Sequence, residues 1–458
     1  MNCQVSPDML QRYDRPGPRY TSYPPVPFWD ESFGPSDYHA ALQRSGETPD
    51  SPLSLYVHIP FCHHRCDFCG CNVIISRKDG VADNYLEYLG KELALVRDAL
   101  GARRTLRQLH LGGGTPTFLT PAQLIRLHET VTAHFDIAPD AEVALEADPR
   151  VTTVEQIACL RALGFNRLSM GVQDLDPEVQ EAIGRGQSVA ETVALYEVAR
   201  AHGFESISMD LVYGLPGQRL ETWQHTLDTV IALRPDRLAI YSYAHLPLTL
   251  RNQKRIDSNL LPDTETKYAL FAYARERLLS AGYTAIGMDH FALPEDELAL
   301  AMDAGRLRRN FMGYTVVQAP ETIGIGTSAI GEIGGAFAQN EKKLSRYYRA
   351  LDDGRFATML GYTMTDDDRM RAWIIRELTC NFRLDFDALR AQFALDYDTT
   401  FAEEEAELSP YYADAFIERT ESGLRVLPLG QVFVRNLAMV FDAHLRRKRT
   451  TARFSRTV

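Results

Sequence analysis

The stretch that decides the fold is Leu53-Ser-Leu-Tyr-Val-His-Ile-Pro-Phe-Cys-His-His-Arg-Cys-Asp-Phe-Cys-Gly-Cys71. A strand-like run ends in four closely spaced cysteines, at positions 62, 66, 69 and 71. Seven cysteines in 458 residues are too sparse, and odd in number, for a disulfide scaffold. Structural zinc usually takes two ligand pairs separated by a longer loop, whereas tight thiolate runs hold iron–sulfur clusters. The spacing therefore favours an iron–sulfur cluster, with zinc as the alternative.

The composition is that of an ordinary globular protein, with 45% hydrophobic and 24% charged residues. The formal charge of −12 argues against general nucleic-acid binding. No apolar stretch approaches the roughly 18 residues of a membrane span, and the N-terminus lacks the pattern of a signal peptide. We therefore expect a cytoplasmic protein, because that compartment also suits reduced thiols.

Short β-rich runs alternate with amphipathic helical patterns from about residue 53 to 290. The predicted strands are Leu53–Ile59, Gln108–Leu111, Glu142–Ala147, Arg167–Val172, Ser206–Val212 and Arg237–Tyr243. The predicted helices are Asp83–Leu100, Pro121–Phe135, Val189–His202, Glu221–Leu233 and Glu265–Ala281. This α/β alternation implies a parallel sheet. Six such strands fit a partial (β/α)6 barrel or a doubly wound sheet, and either fold gathers functional groups at the carboxyl ends of its strands.

The alternation of strands and helices stops on both sides of this region, so the sequence predicts three structural parts. Residues 1–50, rich in Pro, Gly and Tyr, predict an N-terminal arm or lid, and residues 51–360 predict one α/β domain that carries the cysteine loop. Residues 361–458 predict a small helix-rich, winged-helix-like C-terminal domain, or else a helical extension packed on the barrel. Its expected elements are helices at Asp366–Thr379, Phe386–Phe393 and Gly430–Arg447 and a hairpin at Gly423–Leu429.

Glycine-rich or polar residues recur where five successive predicted strands end. They lie in Gly112–Thr115, in Glu146 and Asp148, in Ser169–Asp174, in Asp210–Gly214 and in Tyr241–His245. Each of them alone is better explained as a structural residue. Carboxylates at a strand end are poor core residues but good partners for ribose hydroxyls. The recurrence therefore predicts a ligand site at this edge of the sheet.

The cysteine loop followed by Leu111-Gly-Gly-Gly-Thr-Pro-Thr117 resembles the radical S-adenosylmethionine (SAM) superfamily. Further motifs narrow the resemblance to the oxygen-independent coproporphyrinogen III oxidase family. They are Cys71, Gly17-Pro-Arg-Tyr-Thr-Ser-Tyr-Pro24, Arg309-Asn-Phe-Met-Gly-Tyr314 and Gly324-Ile-Gly-Thr-Ser-Ala-Ile330. The resemblance runs from about residue 10 to Arg456 and implies a radical-SAM barrel.

The resemblance implies that Cys62, Cys66 and Cys69 ligate a [4Fe-4S] cluster and that two SAM molecules bind, one of them on the open iron. It assigns catalytic positions to Tyr56, Glu146, Phe311 and Ile330. The positions that match SAM contacts are Tyr56, Phe68, Gly113, Gly114, Thr115, Glu146, Gln173, Arg185, Asp210, Ala244 and Ile330. One departure is Met312, where some members have glutamine, because a thioether cannot replace an amide donor.

The resemblance also implies the reaction, which is oxidative decarboxylation of two propionates of coproporphyrinogen III to vinyl groups, giving protoporphyrinogen IX for haem biosynthesis. A flavodoxin- or ferredoxin-like protein would supply the electron that cleaves SAM, and the chain would be a monomer. Because the substrate carries four carboxylates, Arg19 and then Arg309 are candidate contacts. The alternatives are a related haem chaperone, a radical SAM enzyme acting on another porphyrinoid, and a zinc-stabilised structural protein.

Overall fold

The computed structural model describes residues 5–78, 80–317, 319–447 and 454–457. They form two compact units, and each is described by itself. The barrel unit contains Asp30–Pro262 and Val317–Thr363, and the arm unit contains the described residues of Met1–Trp29, Asp263–Val316 and Met364–Val458. The three-part division into arm, catalytic domain and C-terminal domain is a different partition and stays a prediction.

The barrel unit is built on ten strands of one sheet. They are β1 Leu53–Ile59, β2 Thr105–Gly113, β3 Asp136–Ala147, β4 Arg167–Gln173, β5 Ser206–Tyr213, β6 Arg237–Ser242, β7 Glu321–Ile325, β8 Ile330–Ile333, β9 Ala336–Asn340 and β10 Thr358–Thr363. Strands β1 to β6 lie side by side in chain order, and all are parallel. A doubly wound sheet reverses its strand order at a switch point, and this order does not reverse. The partial barrel is therefore the fold.

Strand β7 extends the sheet on the other side of β1, to which it is parallel, and β8 to β10 follow as antiparallel neighbours. Two further short strands, Phe61–Cys62 and Ile74–Ile75, pair with each other beside the cysteine loop. One face of the sheet is apolar, whereas the other face carries polar side chains, such as Ser54 and His58 in β1. In β1, Leu53, Leu55, Val57 and Ile59 are all fully buried.

Helices connect the parallel strands. Those of the barrel unit are Pro35–Gly46, Val81–Leu100, Pro121–Thr132, Val154–Ala162, Pro177–Ala182, Val189–Ala201, Leu220–Leu233 and Leu344–Asp352, with 3-10 turns at Pro116–Phe118, Arg251–Arg255 and Ser258–Leu260. Thr120, Thr153 and Ser188 cap three of them by accepting the N–H of the residue three positions on. Gly164 and Gly203 end helices at φ of +90° and +82°, in the region that favours glycine.

The arm unit combines helices with short antiparallel strands. Its helices are Pro7–Tyr13, Val26–Phe28 (3-10), Thr264–Ser280, Glu297–Asp303, Asp366–Arg376, Glu377–Asn381 (π), Phe386–Phe393, Tyr397–Thr400, Ala402–Ala413, Pro428–Val432, Val434–Val440 and Ala443–Arg447. Its strands are Thr284–Ile286, His290–Ala292, Arg308–Asn310, Gly313–Thr315, Arg383–Asp385, Ile417–Arg419 and Gly423–Val426. One apolar cluster joins the arm, through residues such as Tyr13 and Tyr23, to the C-terminal helices. No helix among the described residues is long and apolar enough to cross a membrane.

Two predictions in the C-terminal region were wrong. The hairpin pairs Gly423–Val426 with Ile417–Arg419, and a helix begins at Pro428 instead. The predicted helix Gly430–Arg447 is broken into three helices. One break lies at Phe433, whose ring stacks on Phe416 at 4.8 Å. The other lies at Asp442, whose carboxylate accepts two N–H groups of the following turn at 3.0 Å. Tertiary packing and a capping carboxylate override the helical periodicity there.

Candidate active site

A cavity of about 430 Å³ lies at the carboxyl ends of the parallel strands. Every strand from β2 to β6, or the loop that follows it, lines this cavity, as does the loop that follows β1. The structure therefore brings together most of the predicted site. The predicted residues in its wall are Cys62, Cys66, Phe68, Cys69, Gly113, Gly114, Thr115, Glu146, Gln173, Arg185 and Asp210.

The three predicted ligand thiols face this cavity from one loop. The Sγ of Cys62 lies 3.3 Å from Thr115 Oγ1, and the backbone N–H of Cys71 donates to Cys69 Sγ at 3.4 Å. Hydrogen bonding from Cys71 lowers the pKa of the Cys69 thiol to about 6. Within the described residues, no three His, Cys, Asp or Glu side chains converge on a single-ion site. A cubane is larger than one ion, and three thiols on one cavity wall are the donor set that it takes.

Two arginines flank the Cys66 thiol. Arg150 Nη2 lies 3.6 Å and Arg185 Nη1 3.5 Å from Cys66 Sγ. Both guanidinium groups also contact Asp148, at 2.6 Å and 3.4 Å. Burial alone would raise the pKa of the Asp148 carboxyl, but these two cations hold it below its ordinary value. A buried, positively charged wall thus stands beside the thiols, suited to an anionic cluster and to a ligand carboxylate.

The triple glycine is required because other groups fill the space that a side chain would need. A β-carbon on Gly113, whose φ is +116°, would stand 2.6 Å from the imidazole of His58. One on Gly112 would stand 2.8 Å from Glu146 Oε1, and one on Gly114 would stand 2.8 Å from the backbone of Pro60. The end of β2 and the residue that follows it therefore approach β1 and β3 closely, and the backbone of Gly113 and Gly114 lines the cavity.

Glu146 is the next-to-last residue of β3, and its carboxylate lies at the glycine turn. Its Oε2 accepts the N–H of Gly113 at 3.0 Å, and its Oε1 lies 3.6 Å from His110 Nε2. Burial alone would raise the pKa of Glu146, but His110 and the Gly113 N–H lower it below its ordinary value. Tyr56 stacks on His110, with ring centres 5.9 Å apart, and its hydroxyl lies 3.1 Å from His58 Nδ1. Glu146 is thus an oriented, ionised acceptor.

Strands β4 and β5 supply polar groups on the same wall. Gln173 adopts a φ of +70°, which is uncommon for a residue with a side chain, next to an irregularity in the pairing of β4 with β5. The hydroxyl of Ser169 donates to the carboxylate of Asp210 at 3.3 Å. The strained backbone of Gln173 persists only because the surrounding structure maintains it, and it lies in the wall of the cavity.

Sequence reasoning missed the residues that hold the cysteine loop in place. Asn252 Nδ2 donates to the carbonyl oxygens of Cys66, Asp67 and Cys69 at 3.3, 3.0 and 2.9 Å. The buried Gln253 donates to Phe68 O at 2.9 Å. Both lie on the turn Arg251–Arg255, some 180 residues after the loop along the chain. An amide pair in a polar turn carries no sequence signal, because asparagine and glutamine are common there.

Three predicted residues of the barrel unit are not part of the cavity wall. Tyr56 lies in β1, three residues before the end of the strand, and pairs in register with Gly324 of β7. Ile330 begins β8, next to β7, and Ala244 accepts a hydrogen bond from Gln253 at 3.2 Å. They therefore surround the wall without lining it.

The remaining predicted residues, Arg19, Arg309 and Phe311, belong to the arm unit. Arg309 Nη1 donates to the backbone carbonyl of Arg19 at 2.6 Å, and its Nη2 lies 3.8 Å from Asp289. The Arg309 side chain is only 6% exposed. The ring of Phe311 packs edge-on against Trp29 at 5.9 Å. Arg309 thus holds the arm at the position of Arg19.

Residues 56–230 match the family model described as the radical SAM superfamily. The oxygen-independent coproporphyrinogen III oxidase of Salmonella typhimurium is 45% identical over 450 residues, which are 98% of each chain. That of Escherichia coli K12 is 44% identical, again over 98% of each chain. A solved structure of coproporphyrinogen III oxidase from Escherichia coli, described as a radical SAM enzyme, superposes with a TM-score of 0.90 at 43% identity, covering 93% of this chain and 97% of that one.

This chain belongs to the oxygen-independent coproporphyrinogen III oxidase family. The predicted radical-SAM fold is thereby confirmed. Membership of this superfamily brings a [4Fe-4S] cluster and SAM as cofactors, and the cavity places the three thiols where they would hold that cluster.

Proposed function

We propose that this chain converts two propionate side chains of coproporphyrinogen III to vinyl groups by oxidative decarboxylation. The observation that carries the proposal is the convergence of three cysteine thiols, a side-chain-free glycine turn and Arg185 on one cavity, in a chain of this family. Each propionate loses CO₂, one proton and two electrons in such a reaction. When bound, the cluster and SAM supply the one-electron chemistry that starts it.

The residues of the cavity wall bind and orient SAM in this proposal. Cys62, Cys66 and Cys69 hold the cluster. Arg185 is held by Asp148 and by the carbonyl oxygen of Gly171, to which its Nη2 donates at 2.7 Å, and its buried charge neutralises a carboxylate of the ligand.

The remaining wall residues recognise the neutral parts of SAM. Glu146 and Asp210 are acceptors for ribose hydroxyls, and Phe68 offers an apolar face to adenine. The backbone of Gly113 and Gly114 approaches the ligand because no side chain intervenes. We assign Gln173, Thr115, Tyr56, Ala244 and Ile330 supporting contacts around these groups.

We further propose that two SAM molecules bind per chain. The support is the family resemblance, together with polar groups at five successive strand ends, which exceed the needs of one ligand's carboxylate and ribose. Equilibrium dialysis of the reconstituted protein against labelled SAM tests this. Saturation at two molecules per chain is the expected result, and saturation at one would refute it.

The arm supplies substrate contacts in this proposal. Arg19 binds a propionate carboxylate directly, and Phe311 stays a candidate catalytic position because the family resemblance implies it. Arg309 acts through its bond to the Arg19 carbonyl. Arg19→Ala should therefore raise the KM for coproporphyrinogen III, while Arg309→Lys, which loses the planar fork, should do so less. Unchanged turnover and affinity in Arg19→Ala would remove Arg19 from the site.

Met312 has no assigned chemical role here. Its backbone N–H donates to Asn310 Oδ1 at 2.9 Å, which closes the turn between Arg308–Asn310 and Gly313–Thr315. Met312→Gln tests whether an amide at this position changes the rate.

An external one-electron donor of the flavodoxin or ferredoxin type reduces the cluster, and a separate acceptor takes the final electron. We propose a monomer in the cytoplasm, where its free thiols stay reduced. Light scattering of the anaerobically purified chain tests whether it is a monomer.

The decisive experiment is an anaerobic assay with SAM, dithionite and coproporphyrinogen III, followed by chromatography of the oxidised porphyrins. We expect divinyl product and loss of both propionates. Cys66→Ser should abolish product while the apo chain keeps its circular dichroism spectrum. An intact cluster with no vinyl product would refute the proposed function and, if haem bound instead, would favour the chaperone alternative.

A further inference from the structure

The outer side of the cysteine loop is covered by the turn Arg251–Arg255. Its inner face carries Asn252 and Gln253, both buried, which donate to four carbonyl oxygens of residues 66 to 69. Leu250 precedes the turn and lies 3.7 Å from the position of a β-carbon on Gly70. The turn is therefore bonded directly to the backbone that carries two of the three cluster ligands.

The opposite face of this turn is exposed and basic. Arg251, Lys254 and Arg255 are all exposed. Arg255 contacts Asp67 of the cysteine loop at 3.3 Å, although its side chain remains 68% exposed. Asp257 is the only acidic residue in the sequence from 246 to 260. Three cations with one carboxylate make this segment opposite in sign to a chain whose formal charge is −12.

An exposed apolar side chain precedes these cations by three residues along the chain. Leu248 is 74% exposed, more than any other large hydrophobic side chain among the described residues. Protein interfaces typically surround an apolar anchor with charged residues at the rim. We call Leu248, Arg251, Lys254 and Arg255 the donor face.

We propose that the donor face is the docking site for an acidic one-electron carrier protein that reduces the cluster. The inference rests on the proposed function, because only a cluster that must be reduced needs a carrier. In the step, the carrier loses one electron and the cluster gains one, with no bond made or broken. The positive face steers an acidic partner, and the hydrogen bonds of Asn252 give a short route to the ligand-bearing loop.

Charge reversal at two of the cations is the test. In Arg251→Glu/Lys254→Glu, the anchoring residues Asn252 and Gln253 are untouched, and Arg255 keeps its contact with Asp67. The matched control is Arg107→Glu/Arg234→Glu, which makes the same change in net charge with two exposed arginines. Arg107 lies near the start of β2 and Arg234 lies just before β6, at the amino ends of the strands.

The probe is a bacterial flavodoxin of low isoelectric point in its fully reduced form. Anaerobic stopped-flow spectroscopy at low salt follows the bleaching of the cluster. We expect the rate constant to fall at least about tenfold in the donor-face variant and to change less than about twofold in the control. The difference should shrink as salt is raised, because exposed charges are screened. Leu248→Ser should weaken binding at every salt concentration.

Two further measurements separate this inference from the proposed function. Calorimetry of oxidised flavodoxin with the chain lacking its cluster reports docking without any activity. Dithionite, a small reductant that needs no docking site, should reduce the cluster equally fast in all variants. Equal flavodoxin affinity and rate in the donor-face variant and the control would overturn the donor face. A wild-type enzyme that dithionite reduces but that forms no vinyl product would instead refute the proposed function.

Discussion

Glu92 offers a prediction whose size follows from the structure. Its carboxylate is fully buried in the helix Val81–Leu100 and accepts three hydrogen bonds, from Gly326 N at 2.8 Å and from Asn340 Nδ2 and Tyr347 Oη at 2.6 Å. Burial raises the pKa of Glu92 from 4.5 to about 7 in spite of these donors. The Glu92 carboxylate thus holds the residue that follows β7 in place. Its ionisation lowers the stability of the folded chain, because the charge is buried.

The sign follows from proton binding. Between pH 4.5 and 7 the folded chain holds a proton on Glu92 that the unfolded chain has lost, so stability falls as pH rises through this window. Integrating from pH 5 to pH 8 gives a loss of about 2 to 3 kcal/mol from this group. Glu92→Gln cannot ionise and removes this contribution, although it also places an amide N–H₂ among three donors.

The assay is urea unfolding at pH 5 and at pH 8, followed by circular dichroism and by tyrosine fluorescence. The measured quantity is the change in unfolding free energy between the two pH values. In Glu92→Gln this change should differ from wild type by about 2 to 3 kcal/mol. The control is Glu87→Gln on the same helix, where the side chain is 62% exposed and lies 3.6 Å from Arg126. Identical pH dependence in wild type and Glu92→Gln would refute the reasoning.

Three further predictions follow. Gly113→Ala should weaken SAM binding about tenfold or more, because the φ of Gly113 is +116° and a methyl group would collide with the imidazole of His58. Calorimetry with SAM measures the affinity, and an unchanged affinity would contradict the close packing of Gly113 against His58. Arg103→Ala should lower the unfolding free energy by about 3 to 5 kcal/mol, because the Arg103 side chain is 1% exposed and pairs with Glu321. The control Arg107→Ala removes an exposed ion pair and should cost at most about 1 kcal/mol. Urea titration measures both losses, and equal losses would show that burial does not set the contribution of these ion pairs to stability. Asn252→Ala should bind less iron after anaerobic reconstitution and lose it faster to a chelator, and normal retention would show that its three hydrogen bonds do not hold the cysteine loop.

Much of the barrel unit was predictable because its signals are local. The predicted strand Leu53–Ile59 matches the structure at both ends, and the other five predicted strands overlap the observed ones. Alternating or continuous apolar runs, with glycine at helix ends, depend on only a few neighbouring residues. The cysteine spacing is local in the same sense, so the sequence alone indicated an iron–sulfur loop at the end of the first strand.

Long-range contacts account for what was missed. Arg150 and Asn252 contact the cysteine loop from 84 and 186 residues away along the chain, and neither belongs to a motif. The break in the C-terminal helix at Phe433 depends on the stacked ring of Phe416. Local periodicity cannot report a partner that the fold alone brings near.

The sequence by itself determined the chemistry of this protein: thiols spaced for a cluster, glycines that leave room for a ligand, and motifs that place it in its family. The tertiary structure decided how that chemistry is held. It placed Cys66 between two arginines that share Asp148, buried Arg309 against the Arg19 carbonyl, and bonded the cysteine loop to an exposed basic turn. The reason is physical, because residue types set which bonds can form, whereas burial and proximity set which of them do form.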